Sequence, residues 1–166
     1  MYEIDTKLEE LEKAGTPIRI ALIGAGQMGK DIVAQIEGMK GITCDIVVDV
    51  ETEIARDAYI QARCAEEVAE AASQEEALAA GKKVVATDYR IAVRASKITN
   101  VIDATGSPEM GARITMECIF QKKHIVMMNV ECDITIGPLL RKMCEQAGIV
   151  YSLTAGDEPG YIIERI

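Results

Sequence analysis

Gly24-Ala25-Gly26-Gln27-Met28-Gly29 spaces three glycines as Gly-x-Gly-x-x-Gly, directly after the apolar run Ile18 to Ile23 and before Ile32, Val33, Ile36 and Met39 at helical spacing. In that context the chemistry is the binding of a pyrophosphate. The first glycine permits a tight turn, the second lets a phosphate approach the backbone, and the third lets the helix lie close to its sheet. Free N–H groups at the helix start then receive the negative charge. Gly24, Gly26, Gln27, Met28 and Gly29 are therefore placed on the ligand, against the plainer reading of a glycine turn kept for packing. Asp49 follows Gly24 by twenty-five residues, at the end of the second expected strand. An acid there accepts hydrogen bonds from adenosine ribose hydroxyls, which favours NAD. Arg56, in the next helix, offers a partner for a 2′-phosphate, so NADP stays open. Asp49 as a simple helix cap is the other reading.

Ligands of open α/β sheets sit outside the carboxyl ends of the strands, so the residues following each strand come next. Asp103-Ala104-Thr105-Gly106-Ser107-Pro108 follows the fourth expected strand, and Ala104, Thr105 and Gly106 are assigned to the wall of a cofactor cleft. Ser107 before Pro108 also reads as a helix N-cap. Asn129-Val130-Glu131 follows the fifth strand, with Asn129 placed toward the cofactor and Glu131 a candidate catalytic acid. Asp157, in Thr154 to Gly160 after the sixth, is a second candidate acid, and both acids read equally as surface-loop or first-turn residues. His124, the single histidine, lies at the opposite end of its strand and is read as structural.

These residues need a scaffold of alternating strands and helices. Asp5 to Ala14 reads as a short amphipathic helix ended by Gly15 and Pro17. Strands are expected at Ile18 to Ile23, Thr43 to Asp49, Val84 to Thr87, Val101 to Ala104, Ile125 to Met128 and Ile149 to Leu153. Helices are expected after Gly26, over Glu53 to Ala65, Glu66 to Ala80, Ile91 to Ser96, Pro108 to Gln121 and Ile134 to Ala147. Crossovers of this length give a parallel sheet covered on both faces. The expected class is α/β, a doubly wound parallel sheet of about six strands, with an accessory N-terminal helix. The division is a helix over 1–15, a dinucleotide-binding domain over 16–156 and the start of a truncated following segment over 157–166.

Composition narrows the function further. Eighteen basic against twenty-seven acidic residues give a net charge of -9, which repels nucleic acid and anionic membrane surfaces. No apolar run reaches the length of a membrane span, and the acidic start is not a secretory signal. Five scattered cysteines without a Cys-x-x-Cys pair suit a reducing compartment, and the expected location is cytoplasmic. No spacing suits a metal site.

Ile20 to Gly29, Val101 to Pro108, His124 to Glu131 and Thr154 to Gly160 together resemble the homoserine dehydrogenase-like oxidoreductases whose longer members end in a SAF domain. The resemblance spans nearly the whole chain and rests most on 124–131 and 154–160. It implies a Rossmann domain that binds NAD or NADP, followed by a region supplying dimer contacts and most of the substrate chemistry. One branch resembles a 1-deoxy-D-xylulose 5-phosphate reductoisomerase of a second type. Homoserine dehydrogenases usually carry an Asn-Lys pair where this chain has Asn129-Val130-Glu131, a departure that argues against homoserine as the substrate. The catalytic lysine and acid implied by the resemblance fall beyond Ile166. The expected function is the NAD(P)-binding domain of an oxidoreductase that presents nicotinamide to a small-molecule substrate held elsewhere, with a homodimer compatible. An NAD(H)-sensing module without turnover is the alternative, and a methyltransferase is a third reading, the weakest on strand count.

Overall fold

The computed structural model describes residues 3–65, 68–73, 76 and 83–153. In chain order the elements are α1 (Glu3–Lys13), β1 (Ile18–Ile23), α2 (Gln27–Glu37), β2 (Ile42–Val48), α3 (Thr52–Gln61), β3 (Val68–Glu70), β4 (Lys83–Ala86), α4 (Tyr89–Arg94), β5 (Asn100–Asp103), α5 (Pro108–Gln121), β6 (His124–Met127), α6 (Val130–Ala147) and β7 (Tyr151–Leu153). Every strand pair is parallel. The order across the sheet is β3-β4-β2-β1-β5-β6-β7. This is the doubly wound α/β class, with seven strands among the described residues where about six were expected.

Within Glu66 to Ala80, expected as a helix, the additional strand corrects the reading over Val68 to Glu70, while residues 66–67, 74–75 and 77–80 lie outside the described residues. Val68–Glu70 pairs with Lys83, Val84 and Val85 of β4 at the sheet edge. Alanine and glutamate favour helix locally, but the pairing partner decides. α6 also begins earlier than expected, at Val130, because the Asn129 side chain caps it by accepting from Cys132 N–H at 3.0 Å.

Alternation along the strands builds two apolar layers. Ile20 and Leu22 of β1 face one layer, with Val33 and Ile36 of α2 and Ala55, Ala58 and Tyr59 of α3. Ala21 and Ile23 face the other, with Ile91 and Val93 of α4, Ile114 and Cys118 of α5 and Leu140 and Cys144 of α6. Leu22 is fully buried, and burying such a side chain stabilises by roughly 1.5–3 kcal/mol. In β2 the register against β1 shifts between Ile20 and Ala21, passing over Asp45. That irregularity puts Cys44 and Val47 in one layer and Ile46 and Val48 in the other, whereas strict alternation would place Cys44, Ile46 and Val48 together. The Asp45 carboxylate is held by Arg19 at 2.6 Å and Lys97 at 4.0 Å.

α1 buries no residue. Glu12 accepts from Gly41 N–H at 2.9 Å and Glu9 pairs with Lys40 at 3.3 Å. These contacts hold it at the start of β2, the sheet end opposite the glycine loop.

Candidate functional site

β1 leads to β2 on one side and is flanked by β5 on the other, so the strand order reverses between β1 and β5. The loops at the carboxyl ends diverge there and leave a crevice. A cleft of about 400 Å³ opens at this point, lined by Ile23, Gly24, Gly26, Val48, Asp49, Val50, Thr87, Tyr89, Ala104, Thr105, Ser107 and Met110.

The three glycines meet different demands. Gly24 has φ +94, and a Cβ there would lie 2.6 Å from the Ala104 carbonyl oxygen, so both backbone conformation and close approach call for glycine. A Cβ on Gly29 would run into the Gly24 carbonyl oxygen and lie 3.2 Å from Leu22 Cδ2. α2 is thus pressed onto the loop that precedes it. Gly26, with φ -65 at the N-cap of α2, has nothing within 4 Å of where its Cβ would stand. The protein itself does not require glycine there, and the open space beside the cleft matches a phosphate brought close to backbone. α2 has no side-chain cap, which leaves its first N–H groups to solvent or an anion. Gln27 and Met28 lie in this first turn with exposed side chains outside the cleft lining, Gln27 reaching Asp31 at 3.4 Å.

Asp49 sits at the end of β2. Its Oδ2 accepts from Ala25 N–H at 2.6 Å and its Oδ1 from Val50 N–H at 2.7 Å. It does not cap α3, whose N-cap position is Glu51, without a side-chain cap bond. Each Asp49 oxygen keeps acceptor capacity for a ribose hydroxyl. Arg56 turns the other way, donating to the Val68 carbonyl at 3.5 Å and pairing with Glu70 at 3.9 Å. It lies outside the cleft lining.

Across the crevice, Ala104 N–H donates to the Ile23 carbonyl at 2.8 Å, joining the two loops. Thr105 lines the cleft, while Gly106, with φ +66, is exposed at the turn. Below them Asp103 is fully buried. Its Oδ1 accepts from Thr105 N–H at 3.0 Å and Thr105 Oγ1 at 2.8 Å, and its Oδ2 from Asn129 Nδ2 at 3.2 Å. Burial pushes the Asp103 carboxyl pKa up, against the opposing pull of these donors. Asn129, expected at the rim, is 1% exposed and directed inward. The structure makes it the cap of α6 and a cross-link to Thr105 and Ser107. Glu131 is an exposed residue in the first turn of α6, outside the cleft lining. Asp157 lies outside the described residues. His124 accepts from Val150 N–H at its Nδ1, 3.1 Å away, at the far end of the sheet.

Sequence reasoning passed over Asp103, Thr87, Tyr89 and Met110. The Asp-Ala-Thr order after an apolar strand held the signal for Asp103, and the position after β4 held it for Thr87 and Tyr89. Asp49 and Tyr89 are the titratable side chains lining the described cleft, an arrangement suited to binding and orienting a ligand. Among the described residues no metal-binding cluster forms, and no helix is long and apolar enough to cross a membrane.

No protein-family model and no curated protein sequence matches the chain. Among solved structures it is similar to a probable dehydrogenase from Thermotoga maritima, at 13% identity and TM-score 0.63 over 82% of this chain and 35% of that one. A myo-inositol dehydrogenase from Lactobacillus casei, solved with NAD(H) and myo-inositol, aligns at 15% identity and TM-score 0.62 over 82% and 36%. A homoserine dehydrogenase from Thiobacillus denitrificans aligns at 16% identity and TM-score 0.59 over 82% and 29%. At such identities the likeness carries the fold, which is Rossmann-like. The chain spans about a third of the length of these proteins.

Proposed function

We propose that this chain is the NAD(P)-binding domain of a homoserine dehydrogenase-like oxidoreductase, with NAD favoured over NADP. The observation that carries the reading is an open Gly26 beside Asp49 in one cleft at the reversal of strand order. Gly26 leaves room for a pyrophosphate at the start of α2, and Asp49 offers acceptor oxygens to the adenosine ribose. The support for NAD over NADP is that Arg56 is engaged with β3 and lies outside the cleft lining. A bound nicotinamide supplies hydride chemistry, while the residues here bind, orient and wall it. The finer family assignment rests on the sequence segments 20–29, 101–108, 124–131 and 154–160, and most on the last two. A small-molecule substrate and its acid–base groups are assigned to the rest of a longer protein.

Calorimetric titration of the chain with NAD, NADH, NADP and NADPH tests this reading. Binding of NAD or NADH in preference to the phosphorylated pair is the expected result. Binding of none of the four overturns it, and binding of S-adenosylmethionine instead would replace it with a methyltransferase.

A further inference from the structure

A doubly wound sheet holds one half of a dinucleotide on each side of its strand reversal. With Asp49 marking the β2 side for adenosine, the β5 side takes the nicotinamide half. The wall on that side is Thr105, Ser107 and Met110, and what fixes it lies beneath. We infer that Asp103 and Asn129 are positioning residues that hold the Thr105 loop rigid as the wall for the nicotinamide half. This rests on the dinucleotide reading above.

The Thr105 hydroxyl is fully committed to its neighbours. Its single hydroxyl proton goes to Asp103 Oδ1 at 2.8 Å, and its oxygen accepts from Asn129 Nδ2 at 3.1 Å. Thr105 therefore brings its methyl group and backbone to a ligand and no hydroxyl proton. Asn129 Nδ2 also donates to the Ser107 carbonyl at 2.8 Å and to Asp103 Oδ2 at 3.2 Å. Two hydrogens serve three acceptors, so at least one is shared. The Asn129 amide cannot turn over, because Oδ1 accepts from Cys132 N–H and the flip would set an oxygen against the buried carboxylate. The Ser107 Oγ in turn caps α5, accepting from Met110 N–H at 3.4 Å. The β5 loop, the start of α5 and the start of α6 thus form one hydrogen-bonded body at one side of the cleft. Asp49, on the other side, shares none of these bonds.

A network serving stability alone would affect both halves of the ligand alike, and two probes separate the cases. NADH carries both halves, whereas ADP keeps the adenosine and both phosphates and lacks the nicotinamide and its ribose. Affinities of the full chain for each are measured by calorimetry, with NADH fluorescence reporting the ring's surroundings. The unaltered chain binds NADH more tightly than ADP. Asn129→Ser retains a capping hydroxyl and removes the amide donors. It weakens NADH roughly tenfold, the scale of one lost buried bond, and leaves ADP within about twofold. Thr105→Val preserves shape, removes the hydroxyl and gives the same split, so it decides the matter if Asn129→Ser does not fold. Equal loss for both probes, no loss for NADH, or equal affinities in the unaltered chain overturns the positioning inference and leaves the dinucleotide reading standing. Binding of neither probe overturns both.

Discussion

The backbone N–H of Ala25 donates to the Asp49 carboxylate at 2.6 Å, so the glycine loop after β1 and the acid after β2 form one unit. Asp49 consequently shapes the loop as well as offering oxygens to a ribose. Asp49→Ala frees the N–H groups of Ala25 and Val50, and the half-buried position lets water replace part of what is lost. We expect a stability loss of about 1 kcal/mol in urea unfolding. Calorimetry should show NAD affinity falling about tenfold or more. Unchanged affinity would remove Asp49 from the site.

Gly24 and Gly26 separate folding from binding. Gly24→Ala meets both a positive φ and the Ala104 carbonyl, and is expected to cost about 2 kcal/mol or more in unfolding experiments. Gly26→Ala meets nothing within 4 Å, so its stability should match the parent or exceed it by up to about 1 kcal/mol. Its dinucleotide affinity should fall nonetheless, and Gly26→Val should abolish binding. A destabilised Gly26→Ala with intact binding would reverse this assignment.

Arg56→Ala tests the basis of NAD preference. The guanidinium is directed to Val68 and Glu70, so its removal should leave the ratio of NAD to NADP affinity unchanged. A selective loss of NADP affinity would show that Arg56 leaves β3 to meet a 2′-phosphate.

The elements legible in the sequence are those whose local pattern and tertiary environment agree. Ile18–Ile23 and Pro108–Gln121 match expectation at both ends, since a buried apolar run and a Ser-Pro start need no distant partner to be recognised. Val68–Glu70 was hidden because its residues favour a helix and only the β4 edge makes them a strand. Spacing from the glycines made Asp49 legible as a cleft residue, but not its bond to Ala25, which joins groups 24 positions apart. Asn129 looked like a rim residue because polarity after a strand says nothing of direction. Its burial goes with the bond to the Asp103 carboxylate, a partner 26 positions away that no local pattern pairs with it.

Thiol reactivity provides a check on the packing itself. Burial pushes the Cys44 thiol pKa up to about 12 and that of Cys132 to about 11, so both stay protonated and enclosed at neutral pH. Cys64 is half-buried. Under native conditions an alkylating reagent should label Cys64 first, with Cys44, Cys118, Cys132 and Cys144 reacting only on unfolding. Peptide mapping by mass spectrometry reads the order, and early labelling of Cys132 would mean that the start of α6 opens.

Asp103 makes a pH-dependent contribution whose sign is fixed by its burial. Its folded-state pKa lies above the ordinary value of 3.8, so across the interval between the two the folded chain binds more protons than the unfolded one. Stability attributable to this group is therefore fully present below 3.8 and is lost as pH rises through the folded pKa. Asp88 and Glu117 are shifted the opposite way by Arg90 and Arg94, so the total profile mixes both signs. Comparison with Asp103→Asn cancels their part. The substituted amide sets an N–H toward Asn129 Nδ2 or Thr105, a cost that does not vary with pH, whereas the carboxylate's desolvation does. Urea unfolding of both proteins at a series of pH values rising from 3.8 should give a stability difference, parent minus variant, that falls and then levels. A difference that rises over the same interval would mean that the Thr105 and Asn129 donors outweigh burial and hold Asp103 ionised.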